Sequence, residues 1–478
     1  MLGVVQRQSS LFYVAFGRQA SLIKDDLLEP LDALLDDPAL VAEVAQALAG
    51  RAPASRSTGR PSIAPDRLLR TLVLKHVKNW SLRETERELR SNLVYRRFTR
   101  FDEDSIPNFS TFSRSFASLG EARTKAIHDR VVVKAREASV VQGRRLRTDT
   151  TVVESNVHHP TDSTLLQDGI RVMTRALGRI SAECAQGALK VVDHARSTKH
   201  RVIEIARAAK SFSEGGRERM KGSYAKLVGI AQKVARQAEA VAQDLREGTL
   251  KIVGKGLRAL AQQASLDHFV PLVKKVIAQT KARVFDGDTH FAGKIVSIFE
   301  EHTQPIRKGK AHKPTEFGRL VRIDEVENGV VSNYDVKDGN PADVGELMPA
   351  LSQHKAKFGR MPHLATADRG FHSAANMRAA LEAGVKRVAV PAKGRLSQAQ
   401  AALQKERWFK RAQGWRAGIE SRIATLKHRL GMARAMYRGD YGFKRHVGWS
   451  VIANNLIAIA RVQKRRETQD EKKSTHAP

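Results

Sequence analysis

The stretch Gly143-Arg144-Arg145-Leu146-Arg147-Thr148-Asp149-Thr150-Thr151-Val152-Val153-Glu154 alternates, with Leu146, Thr148, Thr150 and Val152 on one side and Arg145, Arg147, Asp149, Thr151 and Val153 on the other. A period of two is that of a strand, so Asp149 is expected on a β-strand. The pattern then turns helical from about Thr161 to Arg283, where Tyr224, Leu227, Ala231, Val234, Ala238 and Val241 recur three and four apart. Strand character is expected again over 294–302, 318–326 and 330–336, the last two joined by Glu327-Asn328-Gly329, whose Asn-Gly pair signals a hairpin. A helix over 342–358, a strand over 363–367 ending at Asp368, a helix over 373–383, a strand over 387–390 and a long helix carrying Glu420 complete the order. The fold class is α/β: a mixed-sheet core, interrupted after its first strand by a large all-helical insertion.

Upstream of that strand the chain reads as all helical. Pro65 opens an apolar pattern of Leu68, Leu69, Leu72 and Val73, with proline at the first turn. After a break at Lys78 to Trp80, Ser81 and Glu84 have capping-box spacing at the head of a second helix bearing Arg83, Arg87 and Arg90. This helix-turn-helix-like segment, 65–91, would place its basic second helix against DNA. The resulting organisation is a helical N-terminal DNA-binding domain (1–138), a core made of 139–160 and 285–465, a helical insertion (161–284) and a disordered polar tail (466–478).

Charge points to the same partner. Lys and Arg number 83 against 50 Asp and Glu, a net +33 that exceeds what solubility asks of a surface and calls for a polyanion. Double-stranded DNA fits better than a membrane, because no apolar run approaches the roughly 20 residues of a span. A lone cysteine, Cys184, excludes a disulfide framework and a Cys-based zinc site, and suits a reducing, cytoplasmic setting. The basic loop containing Lys308, Lys310 and Lys313 is a further candidate DNA contact.

Asp149, Asp368 and Glu420 are the candidate catalytic and metal-binding acids. At about 100° per residue, Arg416 and Glu420 differ by about 40° around a helix and Glu420 and Lys427 by about 20°, so an acid and two cations share one face. Converging carboxylates repel unless a cation neutralises them, and oxygen donors beside phosphate favour Mg²⁺, with Mn²⁺ able to substitute. Two such ions would activate the attacking oxygen and stabilise the leaving one. The carboxylates are therefore expected within metal-bridging reach. Glu154, five residues along the strand from Asp149, falls on the opposite face, and Asp162 and Asp168 are read as bystanders, as is Tyr437.

These residues resemble a DDE transposase of bacterial insertion sequences, in the broad group containing the IS-four and IS-five types. Thr148-Asp149-Thr150-Thr151-Val152-Val153-Glu154 is similar to the family's first catalytic strand, and His158-His159-Pro160-Thr161-Asp162 to a stretch seen in one subset. Ala367-Asp368-Arg369-Gly370-Phe371 fits its Asp-x-Gly-aromatic signature, and Arg416, Glu420 and Lys427 fit its Tyr-x2-Arg-x3-Glu-x6-Lys signature, with Gln413 in place of the tyrosine. Trp415 or Trp408 could supply the surface that stacks on DNA in its stead. The resemblance implies an RNase H-like core and an Mg²⁺-dependent enzyme holding two ions on Asp149, Asp368 and Glu420, with Arg416 and Lys427 on phosphates. It further implies cleavage at the ends of an insertion sequence, transfer of the freed 3′-hydroxyls into target DNA, recognition of terminal inverted repeats, a homodimer pairing two ends, and a bacterial, nucleoid-associated setting. The competing reading is a catalytically idle regulator or transposon relic that binds the repeats without cutting.

Overall fold

The computed structural model describes residues 2–3, 25–51, 61–102, 104–185, 187, 189–211, 213–250, 252–253, 256–307 and 314–475. It divides into two compact units, one of Met1–Asn156 with Lys308–Pro478, the other of Val157–Arg307.

In the first unit, helices Leu28–Leu35, Pro38–Ala49, Pro65–Val77, Leu82–Ser91, Leu93–Phe98, Phe109–Ala117 and Glu121–Glu137 precede strand β1, Arg145–Ser155. The second unit contains helices Asp162–Ser181, Ala195–Ala208, Glu214–Glu247 and Leu257–Val284 and the short strand β2, Gln304–Ile306. Back in the first unit come β3 (Glu316–Glu325), β4 (Val331–Val336), helix Leu347–Phe358, β5 (Leu364–Thr366), helix Ala374–Glu382, β6 (Arg387–Ala389), helices Gln398–Lys405 and Arg407–Ala424, β7 (Arg434–Ala435) and helix Gly439–Thr475.

The first unit's sheet is mixed. Its order is β4-β3-β1-β5-β6, with β4, β3 and β1 antiparallel and β1, β5 and β6 parallel. The hairpin between β3 and β4 forms at the expected place, with Asn328 and Gly329 both at positive φ (55° and 79°), where these two residue types cost least. β5 pairs only the start of β1, from Arg145↔Leu364 to Arg147↔Thr366, while β7 pairs its end at Glu154↔Arg434 and Ser155↔Ala435. Between those two ladders one edge of β1 is left open, and Asp149 lies in that interval.

Helix Gly439–Thr475 has two apolar faces. Phe443, Val447 and Val451 join Val153, Val321, Ile323 and Val331 of the sheet, whereas Trp449, Ile452, Leu456 and Ile459 join the core of the N-terminal helices. The side chain of Asn455 accepts from the Val331 N–H (2.8 Å) and donates to its carbonyl (2.8 Å), so one amide pairs with β4 as a neighbouring strand would. This helix accounts for a departure from expectation. The charged stretch expected as a disordered tail is helical to Thr475, because it prolongs a helix already nucleated by burial and is rich in Lys, Arg, Glu and Gln. Arg466 fastens it by donating to the carbonyls of Ala138 and Ser139.

In the second unit the six residues of the expected stripe, Tyr224 to Val241, are all buried. The strand expected over 294–302 does not form. Ile298 is buried among the helices, Gln279 takes both the N–H and the carbonyl of Ile295, and Ser297 caps the next two amides, so helical side chains satisfy the backbone that a sheet would have paired. Among the described residues no helix is long and apolar enough to cross a membrane.

Two buried histidines tie the first unit's layers together. His128 donates from Nε2 to the Val331 carbonyl (3.0 Å), and His446 bonds the Gly431 carbonyl (2.9 Å). Burial, reinforced by Lys357 and Lys125 and only partly opposed by Asp129 at 3.0 Å from Nδ1, pulls His128 down to about 3, and burial with Lys75 and Arg445 nearby pulls His446 to about 4. Both are neutral in the fold, whereas in the unfolded chain they protonate below about pH 6.5. Their contribution is complete above that pH and is lost as pH falls toward 4 and 3, by about 1.4 kcal/mol per pH unit for each. Urea unfolding between pH 7 and 4.5 should show this decline. Replacing both histidines by glutamine should make it shallower, the rest of the decline belonging to His76 and His354, which burial also holds low; an unchanged profile would refute the assignment.

Candidate active site and nucleic-acid face

Strand register sets Asp149 and Asp368 level with each other. The last β1–β5 pair is Arg147↔Thr366, and each acid stands two residues beyond it on its own segment, at the carboxyl end of the parallel strands where β5 leaves β1. Crevices at such ends are where open α/β sheets hold ligands. Asp368 is pinned by accepting the Gly370 N–H at 2.7 Å, and Asp149 accepts the N–H of Thr150 at 2.7 Å. A Cβ at Gly370 would lie 2.8 Å from Asp368 Oδ1 and 3.1 Å from Asp343 Oδ2, so glycine is what lets both carboxylates close in there.

Asp343 is not among the acids that the sequence singles out. It lies in the 3₁₀ turn before helix Leu347–Phe358, accepts the Thr150 hydroxyl at 2.6 Å and so sits beside the strand that carries Asp149. Nothing in its local sequence marks it, because its position depends on a turn packing against the Asp368 loop.

Glu420 is carried by helix Arg407–Ala424, which is laid across the sheet by Arg147. Arg147 shares a face of β1 with Asp149. Its guanidinium makes two bonds to the fully buried Glu325 (3.0 and 2.5 Å), donates to the Trp415 carbonyl and lies 4.7 Å from the Trp415 ring. Gly418 passes directly over it, since a Cβ there would meet Nη1 at 2.5 Å. Gln413, which takes the place of the tyrosine in the signature that this segment resembles, donates to the Ala389 carbonyl (2.6 Å) and to Thr366 Oγ1 (3.1 Å). It therefore ties the helix to the ends of β5 and β6 rather than presenting a stacking surface.

The shared face of Arg416, Glu420 and Lys427 holds in part. Arg416 and Glu420 pair at 3.0 Å one turn apart. Lys427, however, lies in a π-helical turn, Thr425–Arg429, where 100° per residue no longer applies. The Glu420 side chain is 67 % exposed and held by Arg416, and among the described residues no group of three or more His, Cys, Asp or Glu is arranged to hold a metal ion. The donor types suit a hard divalent cation; the three oxygens as placed do not surround one point.

The bystander acids all have structural partners. Glu154 pairs with Arg434, Asp162 with Arg283 and Gln279, and Asp168 with Arg171 and His158. Tyr437 bonds His76 (3.1 Å) inside a cluster of rings.

The helix pair at 65–91 forms with the expected boundaries. Ser81 and Glu84 make both bonds of the capping box, and Asn79 turns the chain at φ 54°. On Leu82–Ser91, Arg83, Arg87 and Arg90 fall within about 60° of one another, opposite buried Thr85 and Leu89. Arg83 rests on the Phe109 ring (4.2 Å), while Arg87 and Arg90 pair with Glu88 and Glu86 at 2.9 and 2.8 Å. Exposed pairs of this kind are worth roughly 0–1 kcal/mol and yield readily to a phosphate. Lys308, Lys310 and Lys313 lie outside the described residues.

Truncating Glu325 to alanine would strand Arg147 in the interior, and should cost roughly 3–5 kcal/mol of unfolding free energy. Gln413→Ala removes two neutral bonds and should cost about 1–2 kcal/mol. Denaturant titration distinguishes them; equal effects would mean that the pair beneath the helix is not what seats it.

Searches of curated proteins and of solved structures gave no match. Residues 17–118 match the family model of a transposase domain, DUF772, and this span takes in the helix pair with its arginine stripe. Over those residues the chain is similar to a transposase domain, a finding that supports a transposase and suggests a role in transposition.

Proposed function

We propose that this protein is a DDE-type DNA transposase that cuts strands at the ends of an insertion sequence and transfers the 3′-hydroxyl ends into target DNA. The observation that carries the reading is the strand register that sets Asp149 and Asp368 each two residues past the last β1–β5 pair, beside a helix that carries Arg416 and Glu420. Three antiparallel strands followed by two parallel ones also suit an RNase H-like core.

In this reading Asp149, Asp368 and Glu420 would hold Mg²⁺, or Mn²⁺ in its place, Glu420 being paired with Arg416 as the chain stands. A bound pair of such ions supplies an activated attacking oxygen and charge neutralisation at the leaving one. The protein's own residues do the positioning. Asp343 and Gly370 fix the acids' surroundings, Arg416 offers a planar fork to a phosphate, and Lys427 adds a point charge. Arg83, Arg87 and Arg90 hold the terminal inverted repeats, and a homodimer brings two ends together. Trp415 is engaged by Arg145 and Arg147 (5.2 and 4.7 Å), which favours a role in seating the helix over stacking on DNA.

One observation favours the second reading, a DNA-binding regulator or relic that no longer cuts: Glu420 is ion-paired and the described acids form no metal-ready group. Cleavage decides between them. With Mg²⁺ and DNA bearing the element's inverted repeats, the protein should cut at the repeats, and Asp149→Asn, Asp368→Asn or Glu420→Gln should lower the rate at least about 100-fold. Mg²⁺ should raise the thermal midpoint of the wild type and not of the double Asp variant. Binding without cleavage, equal in wild type and Asp368→Asn, establishes the regulator instead. Replacing Arg83, Arg87 and Arg90 by alanine should weaken binding and lower the salt slope by about 0.9 for each phosphate that is no longer neutralised.

A further inference from the structure

A second cationic feature lies at the other end of the same strands. The parallel strands start level: Arg145 pairs with Leu364, and Leu364 with Arg387. The residues just before them are Arg144, His363 and Lys386, so two rows across three neighbouring strands carry four full positive charges and an imidazole. These residues line one cavity of about 730 Å³, together with Glu327 and Trp408.

Two features separate this cluster from the protein's structural arginines. Arg147, Arg319 and Arg322 are buried and paired with acids, whereas Arg144, Arg145, Lys386 and Arg387 are exposed, and none has an ion pair with an acid among the described residues. Like charges gathered on neighbouring strands destabilise a sheet unless an anion offsets them. The cavity's own acid does not do so. Glu327 is spent on backbone amides, accepting from Arg144 (2.6 Å) and Arg145 (3.0 Å) through one oxygen and from Gly143 (3.1 Å) and Gln142 (3.4 Å) through the other. It stiffens the loop that delivers Arg144 and Arg145 and makes no ion pair with their side chains, so one carboxylate stands against four cations; Arg145 rests against the Trp415 ring, 5.2 Å away. Arg387 is steadied by the Trp408 ring, 5.3 Å away.

We propose that this cavity is a phosphate-backbone site for the DNA duplex flanking the cleaved position. The inference rests on the proposed DNA-cutting role and adds a second, remote contact to it. Arg145 lies four residues before Asp149 on one strand, about 13 Å away at 3.3 Å per residue. A duplex rises about 3.4 Å per base pair, so its backbone covers that distance in about four base pairs. Four cations in two rows neutralise phosphates without reading bases, so the site sets register and affinity and leaves sequence choice to the helix pair.

The test measures binding of a repeat-end duplex to the full chain, without divalent metal, across a salt series. Changing Arg144, Arg145, Lys386 and Arg387 together to alanine should lower the slope of log affinity against log salt by about 3.6, at about 0.9 per phosphate. Ethylation of a cluster of phosphates roughly four base pairs from the cut should interfere with the wild type and not with this variant. A lysine-retaining variant, R144K with R145K and R387K, should keep the slope, which holds the proposal to account even if the alanine protein folds poorly. An unchanged slope and an unchanged interference pattern in a folded alanine variant would overturn it. The two readings fail separately: a wild type that never cuts DNA, yet loses its slope with these four charges, defeats the cleavage role and leaves this site standing.

Discussion

A buried guanidinium–carboxylate pair, Arg147 with Glu325, sets where everything at the candidate site can be. Removing two charges from water costs several kcal/mol each, and the pair survives because geometry offsets that cost: two bonds between the groups, a backbone carbonyl on the remaining edge and an indole face above. The same arginine joins β1 to β3 and carries the helix of Glu420 on its upper surface, with Gly418 allowing the close approach. Strand, neighbouring strand and acid helix therefore share one anchor.

Around that anchor, chemistry is separated along the strand direction. At the carboxyl end, where β5 leaves β1, stand Asp149 and Asp368, with Asp343 in the turn beside them. At the amino end the same strands gather the four cations. The candidate acids and the cation rows thus lie about four residues apart along β1.

The long C-terminal helix gives the site its foundation. One face completes the sheet's core and the other the core of the N-terminal helices, so the arginine-bearing helix pair and the acids belong to one compact unit. The chain of Val157–Arg307 forms its own helical core, and its ends at about 157 and 307 take in residues expected to belong to the sheet. The stretch 294–302 went that way because a glutamine and a serine supplied the hydrogen bonds that a partner strand would have given.

Much of this was legible in the amino-acid order alone, because it depends on local periodicity and on chemistry at fixed spacing. The alternation around Asp149, the capping box at Ser81, the Asn-Gly turn and the buried stripe from Tyr224 to Val241 are short-range facts, and each forms where it was expected. The one-turn spacing of Arg416 and Glu420 was legible in the same way, and so was the transposase character that the 17–118 match supports. Only the tertiary structure decided the rest. Whether Lys427 stays in phase depended on a π turn, whether the tail was ordered depended on the helix it extends, and what Gln413 does depended on the carbonyl it meets across the sheet. Asp343 and the cations from Arg144 to Arg387 have no local signature, since they become neighbours through strand register and turn packing, interactions between residues tens to hundreds of positions apart.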